Sequence, residues 1–371
     1  MFPTLATNEY AYLNTGSSGP PPYYVIKAMR EADDLCSGPA YLEGVGLFAH
    51  QMEHASRARE AAARLIGASP NDVALSQNTT HGMNLGVASI DWREGDEVVS
   101  ATTEHPGCLV PLHNLRKRFG VKVDLVAPPV TPEKIEGSLT PRTRLVALSH
   151  VDWTSGEVLP LQEICAVARE REIPTLIDGA QSVGNIPVDV PATGADMYAF
   201  TGHKWVLGPE GIGAFYARPG LPLYSPNVGL MSLPAPADFD ACGDYELRSD
   251  ARRFEASTMS SALAGGLAAA AEAACERGGA GFGEIRHRAD LLIDFLSELP
   301  SVTIRSPRPA QSGLVSFEVE DVAAREAVER LLGQGFVLRY LPGPYSYVRA
   351  STHLFNTEEE LQALAEAVRG L

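Results

Sequence analysis

Cysteine is scarce in this 371-residue chain, and its few copies form no pattern typical of a metal site or a disulfide framework. No CxxC pair occurs, and the count of five is odd. Structural zinc sites and disulfide-stapled domains both need closely spaced cysteines, so the sequence predicts neither, and we expect no metal. The cysteines are Cys36, Cys108, Cys165, Cys242 and Cys275.

Long apolar runs and an excess of basic residues are also missing. No stretch of about 18 apolar residues occurs, and residues 1–10 carry neither the basic nor the apolar segment of a secretory signal. We therefore expect no membrane association and a cytoplasmic location. Lys and Arg number 30 against 46 Asp and Glu, which gives a formal net charge of −16. Without a basic stripe, that charge argues against nucleic acid and anionic lipid as partners.

What the chain does contain is a series of short apolar segments that alternate with helical patterns such as 109–119 and 161–171. This βα alternation is typical of a doubly wound α/β domain whose mostly parallel sheet is buried on both faces. Ligands of such sheets bind beyond the carboxyl ends of the strands. The seven predicted strands are Asp72–Ser76, Glu97–Ala101, Val121–Val126, Arg144–Ser149, Thr175–Ile177, Met197–Phe200 and Ile212–Tyr216.

The pattern changes in the last third of the chain. Residues 221–250 are rich in Pro, Asp and Gly and predict a long loop, and an Ala-rich helix follows at 262–277. Short strands near 302–304, 313–318, 336–338 and 347–350 then accompany helices at 282–299, 322–332 and 357–368. We expect a large α/β domain at residues 21–250 and a smaller α+β C-terminal domain at residues 251–371.

Two of the predicted strands end in residues of complementary chemistry. Asp178 follows the strand at 175–177, and Lys204 follows the strand at 197–200. A pyridoxal 5'-phosphate (PLP) enzyme needs such a pair, because the lysine forms a Schiff base with the cofactor and the acid keeps the pyridine nitrogen protonated. Gln181 is placed to donate a hydrogen bond to the phenolic oxygen of the ring. The alternatives are a surface lysine and an aspartate that caps the next helix.

Other polar residues follow predicted strands in the same way. Thr79 and Thr80 lie where a strand passes into a helix, and backbone N–H groups and hydroxyls at such a place bind anions such as the PLP phosphate. Thr201 and His203 are short polar residues suited to the same phosphate. For the two threonines at 79 and 80, the alternative is ordinary helix capping.

A histidine and an arginine complete the candidate site. His105 follows the strand at 97–101 and is placed to stack on the pyridine ring and to relay protons. Its alternative is a hydrogen-bonded histidine in a loop. Arg349 sits on a short apolar strand, where the carboxylate of a substrate would be a bidentate partner and an internal salt bridge is the alternative.

Together these segments resemble the class V aminotransferase group of fold-type I PLP enzymes. That group includes cysteine desulfurases, cysteine and cystine C–S lyases and isopenicillin N epimerase-like proteins. The resemblance runs nearly from end to end. It rests on Tyr12–Ser17, Thr79–Thr80, Glu104–His105, Asp178–Ser182, Thr201–Lys204, Arg253–Thr258, Arg349–Ser351 and Asn356–Glu359.

The resemblance implies a role for each of these residues. Lys204 is implied to carry the Schiff base and to be catalytic together with His105, which stacks on the ring. The residues implied to bind the cofactor are Thr79, Thr80, His105, Asp178, Gln181, Thr201, His203, Lys204 and Thr258. Residues 1–20 are implied to line the active site through Gly16 and Ser17, on the substrate side with Arg349. Because Thr258 is implied to reach the phosphate of a neighbouring subunit, we expect a homodimer with shared active sites and a small amino-acid substrate.

Two departures from the family pattern bear on the reaction. Desulfurases carry a nucleophilic cysteine on the loop before the carboxylate-binding arginine, whereas residues 339–347 of this chain contain none. We therefore expect a cysteine- or cystine-type C–S lyase that works by β-elimination, not a persulfide-forming desulfurase. Trp153 stands where the family often has asparagine, which predicts a bulkier and more apolar substrate pocket. Transamination, epimerisation and PLP binding without turnover are the alternatives.

Overall fold

The computed structural model describes residues 2–6, 9–39, 45–235, 239 and 242–371. Its centre is a seven-stranded sheet, and the seven strands expected from the sequence all belong to it. In chain order they are β2 (Val73–Ser76), β3 (Glu97–Ala101), β4 (Lys122–Val126), β5 (Thr143–Ser149), β6 (Thr175–Asp178), β7 (Met197–Thr201) and β8 (Gly213–Ala217). The label β1 is kept for a short strand at Ala11–Tyr12.

The order across this sheet is β2-β8-β7-β6-β5-β3-β4. All neighbouring pairs are parallel except those of β8, which runs antiparallel to both β2 and β7. The side chains of the inner strands are buried on both faces, as a sheet covered by helices on each side requires. The prediction of a mostly parallel α/β sheet is therefore confirmed, and the carboxyl ends of β3, β5, β6 and β7 all open to one edge.

Helices flank the sheet and extend beyond it. They are α1 (Tyr23–Ser37), α2 (Val45–Leu65), α3 (Thr79–Ala88), α4 (Pro106–Phe119), α5 (Pro132–Ser138), α6 (Leu161–Glu170), α7 (Val190–Thr193), α8 (Ser261–Ser297), α9 (Ala324–Leu332) and α10 (Glu358–Arg369). The sequence patterns did not identify α1 and α2, which both pack against α8. None of the helices in the described part of the chain is long and apolar enough to cross a bilayer, and the cytoplasmic location stays a prediction.

The long helix α8 connects the two parts of the molecule. Its first half packs on α1, where Gly265 approaches Ala28 and Ala32 so closely that an added Cβ would lie 3.1 Å from the Ala32 Cβ. Its second half contributes Leu292 and Leu296 to a separate core in the C-terminal part. Between the halves the backbone is broken at Gly278, whose φ of 53° favours glycine, in agreement with the two separate helices expected from the sequence. The helix α8 contributes side chains to the cores of both parts. The domain boundary expected at residue 250 stays a prediction.

The C-terminal part contains a small antiparallel sheet of order β12-β13-β10-β9. Its strands are β9 (Val302–Ile304), β10 (Leu314–Val319), β12 (Arg339–Tyr340) and β13 (Val348–Ser351). The strand expected at 336–338 does not join this sheet as one piece. Instead, β11 (Phe336–Val337) pairs in parallel with β1, so that the N-terminal segment is attached to the C-terminal part.

Candidate active site

The strand ends predicted to carry the chemistry lie next to each other. Asp178 is the last residue of β6, Thr201 is the last residue of β7, and these two strands are parallel neighbours. Lys204 follows in the turn after β7. All of these side chains line one cavity of about 610 Å³ at the carboxyl edge of the sheet. This is the place where ligands of parallel α/β sheets bind.

Lys204 is half-buried and lines this cavity beside charged groups of both signs. Burial lowers the pKa of its amine to about 8, and the charges of Arg349 and Arg339 lower it further, while the Asp178 carboxylate opposes the change. An amine with this pKa is unprotonated in about a tenth of the molecules at pH 7, a far larger share than for an ordinary lysine. The amine is therefore suited to attack an aldehyde. The alternative of a surface lysine is wrong.

Asp178 faces the same cavity from the neighbouring strand. Its Oδ1 accepts a hydrogen bond from the Ala180 N–H at 2.9 Å, so the helix-cap-like contact and a cofactor role are compatible. Burial raises the pKa of this carboxyl, and the Ala180 N–H and Lys204 both act against that rise. The buried carboxylate can pair with a protonated ring nitrogen of a cofactor, while the Lys204 amine lines the same cavity.

One corner of the cavity has the features of an anion site. The helix α3 begins at Thr79, directly after β2, and Asn78 caps it by accepting the His81 N–H at 2.9 Å. The Thr79 Oγ1 atom is buried and has no hydrogen-bond partner in the described part of the chain. Across the corner, Thr201 Oγ1 lies 2.7 Å from His203 Nδ1. A helix start, an unsatisfied hydroxyl and this polar pair fit a phosphate group.

His105 is held in one orientation by its own backbone. Its Nδ1 accepts the Gly107 N–H at 2.9 Å and so caps α4, which begins at Pro106 for this reason. A neutral ring with Nδ1 as acceptor carries its proton on Nε2. Burial, followed by the positive charges of Lys204, Arg339 and Arg349, lowers the pKa of His105 to about 4. The His105 ring is thus neutral and offers its Nε2–H as a donor. Its stacking on the pyridine ring and its relay of protons stay predictions.

Arg349 has unsatisfied donor capacity although it is almost completely buried. Its Nη1 donates to the Trp153 carbonyl at 2.8 Å and its Nη2 to Ser17 Oγ at 3.3 Å. Its Nε has no partner, and it forms no salt bridge with any residue that the structure describes. The internal salt bridge considered from the sequence is therefore not observed there. Burial lowers the pKa of Arg349 to about 9, the charge of Arg339 adds to this, and Asp152 opposes it.

Arg339 is a cavity residue that the sequence analysis did not propose. It lies opposite Arg349 in the β12–β13 pair, and its Nη1 donates to the same Ser17 Oγ at 3.3 Å. Unlike Arg349 it is exposed, at the mouth of the cavity. The signal that would have found it is a hairpin between residues 339 and 349, because a hairpin places its two arginines side by side.

The structure brings together all but one of the predicted site residues. The cavity is lined by Gly16, Ser17, Thr79, Thr80, His105, Trp153, Asp178, Gln181, Thr201, His203, Lys204 and Arg349. Thr258 is exposed and does not line the cavity of its own chain. Besides Arg339, further lining residues that were not proposed are Gln77, Asn78, His81, Asn84 and Ala180.

Comparison with known proteins agrees with this geometry. The family model of class-V aminotransferases matches residues 11–364. The chain belongs to the class V aminotransferase family. This class V protein is therefore a PLP-dependent enzyme of the group that contains cysteine desulfurases, C–S lyases and epimerases.

The relatives of this class V enzyme cover nearly its whole length. A probable cysteine desulfurase of Methanothermobacter thermautotrophicus is 28% identical over 97% of this chain and 94% of its own. The isopenicillin N epimerase of Streptomyces clavuligerus is 30% identical with the same coverage of both chains. The solved structure of the cystine C–S lyase C-DES with its product cysteine persulfide has a TM-score of 0.90 and 31% identity, covering 100% of this chain and 99% of its own.

The cavity residues fit PLP. The unsatisfied Thr79 hydroxyl at the start of α3 suits the phosphate, Asp178 suits the ring nitrogen, and Lys204 suits the aldehyde. When bound, PLP withdraws electrons from the Cα of an attached amino acid and so makes its Cα–H bond acidic. The chain itself supplies an amine of lowered pKa at Lys204, a fixed N–H at His105 and the guanidinium of Arg349.

We predict that PLP-free protein reacts with PLP at a rate that follows the ionisation of Lys204. Because only the unprotonated amine attacks the aldehyde, the rate constant should rise with pH and level off above a midpoint of about 8. Removing the Arg349 charge by Arg349→Met should raise the Lys204 pKa and move the midpoint upward. Stopped-flow absorbance across the pH range measures both effects. A wild-type midpoint near the ordinary lysine value would contradict the environment described for Lys204.

Proposed function

We propose that this class V enzyme cleaves a C–S bond of a cystine-type amino acid by β-elimination. The observation that carries the proposal is the hairpin β12–β13. It has no cysteine to receive sulfur, and it places two arginines, Arg339 and Arg349, on the single hydroxyl of Ser17. A cystine molecule has a carboxylate at each end, so it presents one anionic group to each arginine.

Arg349 is suited to the carboxylate of the reacting half. Its Nη1 is already used by the Trp153 carbonyl, whereas Nε is unpartnered and Nη2 makes only a long contact with Ser17. The Nε and Nη2 atoms form one edge of the guanidinium, and that edge binds a carboxylate through two parallel hydrogen bonds. A substrate carboxylate would thus give the buried Arg349 Nε the hydrogen-bond partner that it lacks.

Aromatic rings suit the disulfide between the two carboxylates. Trp153 lines the cavity and lies edge-on to His105, with ring centroids 5.0 Å apart. Tyr345 also lies edge-on to Trp153, with ring centroids 6.2 Å apart, and donates through its hydroxyl to the Thr102 carbonyl at 2.9 Å. Sulfur contacts aromatic ring edges favourably. The bulkier and more apolar pocket expected from Trp153 stays a prediction.

The proposed reaction uses Lys204 as the proton acceptor. The neutral Lys204 amine takes the proton from Cα, and the Cβ–S bond breaks with its electron pair remaining on sulfur. The leaving group is the persulfide of the second cysteine half. Water then converts the remaining fragment to pyruvate and ammonia, so that cystine and water yield cysteine persulfide, pyruvate and ammonia. No oxidant or reductant is needed.

We predict that the holoenzyme forms pyruvate from L-cystine without an added 2-oxo acid, and that Lys204→Ala reduces the rate by at least about a thousandfold because the proton acceptor is lost. Lactate dehydrogenase-coupled absorbance measures pyruvate. A strict requirement for a 2-oxo acid would indicate transamination instead. Loss of optical activity without pyruvate would indicate epimerisation, and bound PLP without any product would indicate binding without turnover.

We predict that Arg339→Met raises the KM for L-cystine about tenfold, which corresponds to the loss of about 1.4 kcal/mol of binding free energy. The KM for β-chloro-L-alanine, which has a single carboxylate and is held by Arg349 alone, should change little. Arg305→Met is the matched control, because Arg305 is another exposed arginine of the small domain and pairs with Glu318 outside the cavity. Equal effects of Arg339→Met on both substrates would refute the second carboxylate site.

We also propose that the enzyme is a homodimer whose partner supplies Thr258. Thr258 is exposed in its own chain, and the preceding segment exposes more than half of the Tyr224, Leu230 and Tyr245 side chains. Exposed apolar side chains of this size suit an interface. We predict that the holoenzyme sediments with twice the chain mass, and that Thr258→Val lowers its PLP affinity. A monomer with full PLP affinity, or an unchanged affinity in the variant, would contradict this.

A further inference from the structure

Gln181 poses a chemical ambiguity at the predicted cofactor site. A glutamine amide carries an acceptor oxygen and a donor nitrogen, and rotation by half a turn exchanges them. Only the nitrogen can donate to the phenolic oxygen of PLP, as the family resemblance implies for Gln181. Some neighbouring group must therefore determine which end of the amide faces the cavity.

The indole of Trp205 resolves this ambiguity. Its Nε1–H can only donate, and it donates to Gln181 Oε1 at 2.7 Å in a completely buried contact. With the amide oxygen engaged, the Gln181 nitrogen points the other way and donates to the Gly16 carbonyl at 2.9 Å. An amide nitrogen has two hydrogens and Gln181 lines the cavity, so a second donor is still available.

Trp205 itself has almost no freedom to move. The ring of His353 stacks on it with centroids 6.1 Å apart and an interplanar angle of 26°. The His353 Nε2 atom lies 3.2 Å from the Trp205 carbonyl, which can only accept a hydrogen bond. An added Cβ at Gly313 would lie 2.7 Å from Trp205 Cζ3, so the backbone of the small domain touches the indole directly. The position of the indole is thus set by both parts of the molecule.

The hydrogen bond between Trp205 and Gln181 is also connected to the substrate side of the cavity. Gly16, which accepts from Gln181, is followed by Ser17, and the hydroxyl of Ser17 is the shared acceptor of Arg339 and Arg349. A continuous chain of hydrogen bonds and one peptide unit therefore leads from Trp205, the residue after Lys204, to both arginines.

We propose that Trp205 is a positioning residue that presents Gln181 to the cofactor as a hydrogen-bond donor and holds Gly16–Ser17 in place for the substrate. This rests on the proposed function for the roles of Ser17 and the arginines. Trp205 is buried and does not line the cavity. The group that orients Gln181 therefore lies outside the set of residues that can contact the cofactor.

The test compares holoenzyme of the wild type with Trp205→Phe, which keeps an aromatic ring against His353 but removes the N–H. We expect the absorbance maximum of bound PLP to shift, because the donor to the phenolic oxygen is no longer fixed. Hydrogen exchange in residues 12–18 should become faster than in the wild type. The KM for L-cystine should rise about tenfold, since the segment that carries Ser17 is no longer held in place.

The control is Trp92→Phe, which removes another buried indole N–H. Trp92 donates to the Val87 carbonyl at 2.7 Å in the core of the large domain and does not line the cavity. It should leave the absorbance maximum and the exchange of residues 12–18 unchanged. If Trp205→Phe also leaves both unchanged, the proposal is wrong.

Should Trp205→Phe fail to fold, Gln181→Glu tests the donor role of Gln181 on which the proposal depends. A carboxylate still accepts the Trp205 N–H but has no hydrogen to donate, so the same absorbance shift and faster exchange are expected. Wild-type behaviour of this variant would overturn the proposal. The spectrum and the exchange rates need no turnover, so they remain informative even if L-cystine is not the substrate and the proposed function fails.

Discussion

A buried amine opposite a buried carboxylate is the interaction on which this active site depends. Asp178 ends β6 and Lys204 lies in the turn after the adjacent parallel strand β7, so the sheet brings the two residues to one cavity. Burial makes the charged state of each group less favourable, and the pKa of Lys204 is raised by the Asp178 carboxylate and lowered by the two arginines. A lone lysine of this kind in water would stay protonated. The nucleophile is thus an ordinary lysine whose reactivity comes from its position in the fold.

The N-terminal segment is the element that joins this charged centre to the substrate side. The Gly19 N–H donates to the His203 carbonyl at 2.6 Å, which fixes the segment to the turn that carries Lys204. On the other side, Asn14 forms a bridge with Ser351 at the end of the strand that carries Arg349. A segment held from both sides keeps Ser17 between the two arginines. Preorganisation of this kind lowers the cost of binding a flexible, doubly charged substrate.

Much of the fold was predictable because its signals are local. Each of the seven sheet strands lies within one residue of its predicted ends, since a strand buried on both faces is a short apolar run bounded by polar turns. The helices α1 and α2 were missed, and so was the pairing of β1 with β11. Two-residue strands such as Ala11–Tyr12 have no period to detect, and their pairing depends on contacts more than 300 residues apart in sequence.

The sequence by itself determined the chemical inventory of this protein. An aspartate and a lysine at strand ends, threonines at a helix start and a hairpin without cysteine are all properties of the chain as written. Only the tertiary structure decided how these groups behave. The lowered pKa of Lys204, the pairing of Arg339 with Arg349 on Ser17 and the direction of the Gln181 amide come from burial and from neighbours distant in sequence. Such effects need the folded chain, because dielectric and hydrogen-bond geometry are not encoded in any short segment.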